Sequence, residues 1–107
     1  MFNLKKEENL TTESFLLDSC KATPGFEFFP KKNKKINLEK LVMKLRAKNY
    51  FIEKDNSPFL VMIKTKKGET TIFSSLKIII RDVKDQKEAK KILSELLNII
   101  NETLMQE

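Results

Sequence analysis

The side chains of this chain that can act on another molecule are lysines and phenylalanines, not nucleophiles. Its 107 residues contain no histidine and a single cysteine, Cys20, so neither a Ser-His-Asp nor a Cys-His device can be assembled. A zinc site would have to be built from Cys20 and carboxylates, which no spacing in the chain argues for; no metal and no other cofactor is expected. Acid–base work would fall to carboxylates or lysines. With Gly25 and Gly68 the only glycines, there is no glycine-rich phosphate loop. The chemistry that remains is binding, and the chain reads as a non-enzyme.

Charge says where binding would occur. The formal net charge is +6, but residues 31–67 alone carry twelve Lys or Arg against Glu39, Glu53 and Asp55, a local +9, while residues 1–30 sum to −2 and residues 68–107 to −1. A basic middle is an electrostatic footprint for phosphates. Nineteen of the twenty-one cations are Lys rather than Arg, which is also the composition of a solvated surface. No window approaches the roughly 18 apolar residues of a membrane span, and the N-terminal Met1-Phe2-Asn3-Leu4-Lys5-Lys6 lacks a secretory apolar stretch. An intracellular, cytoplasmic location is expected.

The elements that would position these groups follow from periodicity. A mixed-charge tail covers residues 1–10, and Phe15, Leu16 and Leu17 after Thr11-Thr12-Glu13 predict a short docking helix. Residues 1–20 thus form a tail or short helix, and residues 21–107 a single domain. Phe26, Phe28 and Phe29 predict a strand ending near Pro30, and Lys31-Lys32-Asn33-Lys34-Lys35 a solvated connector. Asn37 reads as an N-cap, with Leu38, Leu41, Val42 and Leu45 one apolar stripe of a helix over 38–48. Four strands follow at 50–54, 59–65, 69–74 and 77–81. Asp85 with Glu88 then opens a long amphipathic helix carrying Ala89, Ile92, Leu93, Leu96 and Leu97. The fold class is α+β: a curved antiparallel sheet of about five strands with two helices on one face, in the order β-α-β-β-β-β-α. Segment 57–81 is apolar at odd and even positions alike, so one sheet face covers a core and the other meets a partner.

The text Thr70-Thr71-Ile72-Phe73-Ser74-Ser75-Leu76-Lys77-Ile78-Ile79-Ile80, followed by Asp82-Val83-Lys84, resembles one half-repeat of the TATA-box-binding protein family. That family's Phe-Ser-Ser-Gly-Lys is matched by Phe73-Ser74-Ser75-Leu76-Lys77, and its Lys-Leu-Asp-Leu-Lys-Lys helix lead-in by Lys35-Ile36-Asn37-Leu38-Glu39-Lys40. The likeness spans roughly residues 26–100. It implies a half-saddle whose concave sheet binds nucleic acid, with Phe59 and Phe73 as the wedging pair. Thr71, Phe73 and Ser75 share a face by the strand period of two, and the family's pattern adds Ile79 and Arg81. The resemblance makes Phe59, Phe73, Ser75 and Ile79 contact residues, with Lys64, Lys77 and Arg81 neutralising phosphates.

The chain also departs from the family. Leu76 replaces the family's glycine and is expected to expose an apolar side chain at the rim. Arg81 stands where a small hydroxyl residue is usual. Only one repeat is present, so a full saddle requires a homodimer or a hetero-complex joined through strand edges. The partner is nucleic acid in the first reading. In the alternative it is another protein, docked on the apolar sheet face or on the N-terminal arm.

Overall fold

Asn37 starts the first helix because its side-chain Oδ1 accepts the Lys40 amide at 3.0 Å, satisfying a backbone donor that the first turn leaves orphaned. The computed structural model describes residues 9–19, 25–65 and 68–104. In it α1 runs Leu38–Ala47 and buries Leu38, Leu41, Val42 and Leu45. It stops where Asn49 turns left-handed at φ 68°, a conformation asparagine tolerates better than most residues. Asp85 repeats the capping device on the Glu88 amide at 2.9 Å. It opens α2, Gln86–Ile100, whose buried stripe runs from Ala89 to Ile100.

Six antiparallel strands form the sheet: β1 Phe15–Ser19, β2 Gly25–Pro30, β3 Phe51–Asn56, β4 Leu60–Thr65, β5 Gly68–Phe73 and β6 Ile78–Arg81. Their spatial order is β1-β2-β6-β5-β4-β3. The α+β class and the order from β2 onward match the expectation. The sixth strand, β1, stands where a docking helix is predicted. There, Thr11 caps a short 3-10 turn, Thr12–Ser14, and the chain then extends. The reason is the edge of β2, which leaves a row of backbone groups to be paired. Pairing in register Leu17↔Phe28 buries Phe15 at 5% exposure and leaves Leu16 at 58%. Phe15 meets Phe28 edge to face, ring centroids 6.4 Å apart.

Both helices cover one sheet face. Its floor is Phe28, Val61, Ile63, Ile72, Ile78 and Ile80, all at or below 1% exposure. Of the predicted tail, residues 1–8 lie outside the described residues; Leu10 is buried. Asn101, just past α2, clasps its backbone by accepting from the Leu10 amide at 2.7 Å and donating to its carbonyl at 3.1 Å. Cys20, Lys66 and Lys67 also lie outside the described residues.

The two glycines flank the same stretch of β6. A Cβ on Gly25 would lie 2.5 Å from the Ile80 carbonyl oxygen, and one on Gly68 would lie 2.6 Å from that of Arg81. Only glycine permits the neighbouring backbones to approach this closely.

Candidate nucleic-acid interface

No described element packs on the second face of the sheet, and the strand register arranges its side chains in three rows that cross the strands. The first row reads Leu16, Phe29, Lys77, Phe73, Leu60 and Asn56. It is fixed by the pairs Leu16↔Phe29, Leu60↔Phe73 and Asn56↔Leu60, and by the Phe73 amide donating to the Lys77 carbonyl at 2.9 Å. The second row is Asp18, Glu27, Ile79, Thr71, Met62 and Lys54. The third is Gly25, Arg81, Glu69, Lys64 and Phe51.

Within the first row the Lys77 ammonium lies 5.5 Å from the ring centroids of both Phe29 and Phe73. A cation so placed is held by the ring quadrupoles, and its apolar stem lies among apolar neighbours. Lys77 therefore stands clamped in the middle of the row.

Thr71, Phe73, Ile79 and Arg81 share this open face, the first two as the alternation predicts and the last two as the resemblance implies. Ile79, only 7% exposed, is floor rather than tip. Lys64 is on the face and exposed. Ser75 is exposed but sits in the β5–β6 turn, outside the strand alternation.

Phe59 does not join Phe73. It lies in the turn that follows the cis Ser57–Pro58 peptide, one residue out of phase with Leu60 and Met62, so Leu60 is the residue beside Phe73. Phe59 is 66% exposed and lines a shallow groove at the end of the sheet with Ile36, Leu38 and Ser74. Phe29 takes its place on the face. Its signal was its offset by one from the core residue Phe28.

Leu76 also departs from expectation. Instead of projecting at the rim it is fully buried at 0% exposure, with its backbone left-handed at φ 75°. The turn keeps the conformation that suits glycine, while the side chain enters the core.

The electrostatics of the face are mixed. Arg81 pairs with Glu69 across β5 and β6 at 3.7 Å. The Glu69 carboxyl is held above the usual carboxylate range, first by a hydrogen bond shared with Glu53, then by desolvation and by the negative charges of Glu53 and Asp82, against the opposing pull of Arg81. Because folding raises this carboxyl's affinity for a proton, Glu69 adds stability in acid, fully below the unfolded carboxylate range, and loses it as pH rises through the raised value. Asp18 and Glu27 add negative charge toward β1 and β2, whereas Lys54 and Lys64 add positive charge toward β3 and β4. Asp55, beyond the face, is held below its ordinary range by hydrogen bonds from Ser57.

Among the described residues no three Cys, Asp or Glu side chains gather as a metal site, and no helix is long and apolar enough to cross a membrane. Residues 31–103 match the family model described as Transcription factor TFIID (or TATA-binding protein, TBP). No curated protein and no solved structure shows significant similarity. The matched span holds both helices and the β3–β6 meander and leaves β1 and β2 outside it. Since that span is well over half of the sequence, the chain belongs to the TATA-binding protein family.

Proposed function

We propose that this chain is a non-catalytic nucleic-acid-binding domain that works through the open sheet face, inside the cell, as a homodimer or with a partner. The observation that carries the reading is the uncovered first row, where Phe29 and Phe73 flank the Lys77 ammonium. Aromatic side chains on a sheet replace base stacking without demanding hydrogen bonds, and the TATA-binding protein is itself a standard example of apolar side chains wedged between bases. Lys77 and Lys64 supply cations for phosphates, and the Ser75 hydroxyl is at hand beside Phe73. Arg81 joins them when it exchanges Glu69 for a phosphate. Ile79 supports the row from below, and Phe59 contributes from the end of the sheet. A second subunit or partner strand would add at β1 or β3, the two strands at the sheet's edges.

Binding of labelled duplex DNA, single-stranded DNA and RNA at 50 and 200 mM salt tests the reading. Affinity should fall roughly tenfold or more over that range if several phosphates are contacted. Salt-insensitive binding, or none to any of the three, would rule it out.

The mixed charge of the face favours one other reading, a protein-docking module. Opposite charges at its two sides, with Leu16 and Phe51 exposed at the edge strands, suit a folded partner of complementary charge. In that case Phe73→Asp abolishes assembly in a chain that stays folded.

A further inference from the structure

Residues 31–35 leave β2 at the end of the sheet that carries the aromatic row. The chain then runs along that end rather than away from it, because the Ile36 amide donates to the Ser74 carbonyl in the β5–β6 turn at 3.4 Å. From β2 to β5 it passes two strand spacings, about 10 Å. Lys31, Lys32 and Lys35 are exposed and Lys34 is half-buried. The backbone of a lysine-rich segment therefore crosses the end of the sheet next to the line of side chains in which Phe29, Lys77 and Phe73 are consecutive.

The rest of the face is unlike this edge. Behind the row the charges are mixed: Asp18 and Glu27 stand toward β1 and β2, Lys54 and Lys64 toward β3 and β4, and Arg81 is engaged by Glu69 with Glu53 beside it. A duplex laid over the sheet would bring a second phosphate backbone onto these carboxylates. One strand would not.

From this we infer that the nucleic acid bound is single-stranded. It lies along the first row with its phosphates toward Lys31, Lys32, Lys34 and Lys35 and its bases turned over Phe29 and Phe73. A single backbone tracked by one basic edge, with aromatic platforms beside it, is the arrangement that binds single strands with little sequence preference. Lys77, between the two rings, meets the phosphate linking the two stacked bases. This rests on the nucleic-acid reading above and adds to it the strandedness of the ligand and the role of a segment that reads in the sequence as a solvated connector.

Fluorescence anisotropy of the intact chain tests it, using a labelled, unstructured 12-nucleotide DNA, the RNA of the same sequence, and the 12-base-pair DNA duplex. At least one single strand should bind tenfold or more tightly than the duplex. Replacing the four lysines together (Lys31→Gln, Lys32→Gln, Lys34→Gln and Lys35→Gln) should flatten the salt dependence by about 0.7 in log–log slope for each phosphate no longer neutralised. Phe29→Leu with Phe73→Leu, which keeps apolar volume on the face, should weaken single-strand binding about tenfold. Duplex binding equal to or tighter than single-strand binding overturns the inference and leaves the nucleic-acid reading standing. Single-strand binding with an unchanged salt slope in the four-glutamine variant overturns the assigned path. Absence of binding to all three probes overturns both readings.

Discussion

Leu76 sits where two preferences conflict. Left-handed backbone costs a residue with a Cβ roughly 1–2 kcal/mol, yet a buried leucine is worth about 1.5–3 kcal/mol relative to an exposed one, so burial offsets the backbone cost. This predicts an inverted substitution series. Leu76→Ala keeps the strain and removes the packing, and should destabilise by about 2–5 kcal/mol. Leu76→Gly removes slightly more side chain but relieves the backbone, and should be about 1 kcal/mol less damaging than alanine. Urea unfolding of both variants decides the matter. A glycine variant less stable than the alanine one would mean that the left-handed turn imposes no cost. Nothing in the sequence distinguishes a buried Leu76 from an exposed one, since its orientation is set by the turn between Phe73 and Lys77 rather than by a strand or helix period. Phe29 was hidden for a related reason. Three phenylalanines within four residues do not say which one faces out until β2 is in register with β6, some fifty residues later.

At the scale of elements, the parts legible in the sequence are those in which a local cap and a local period agree. Asn37 and Asp85 stand directly before stripes of 3.6-residue spacing, so both helices are found within a residue or so of their observed starts. The β3–β6 meander is read from its turns. The β1 strand is not legible, because Phe15, Leu16 and Leu17 do not alternate and what makes them a strand is a free edge supplied by β2. The caps allow a test at this scale. Asp85→Ala should cost about 1 kcal/mol of stability, while Asp85→Asn, which can accept the same Glu88 amide, should cost only a small fraction of that. Thermal unfolding at fixed pH measures both, and equal destabilisation would show that the side-chain oxygen is not what holds the helix start. The edge strand β3 is defended by its charges Glu53, Lys54 and Asp55 and by a register shift between Ile52 and Lys54, the usual means of discouraging unwanted pairing.

Taken whole, the sheet consists of two locally connected pieces, the β1–β2 pair and the β3–β6 meander, each with its neighbouring strands paired in sequence order. They meet along a single strand pairing, β2 with β6. Closing that pairing spans the chain from Gly25 to Arg81, and long loop closures are both entropically costly and slow to form. Native-state hydrogen exchange should therefore find the β1 and β2 amides opening at lower free energy than those of β4 and β5; uniform protection across the sheet would contradict this. The first row of the open face crosses that junction, with Phe29 on the β1–β2 side and Lys77 and Phe73 on the meander side. Neither piece alone holds a ring on each side of the ammonium, so the binding surface comes into being only at the step that joins the two. A chain caught before that step would be half folded and wholly unable to grip, which makes ligand capture a direct readout of completed folding.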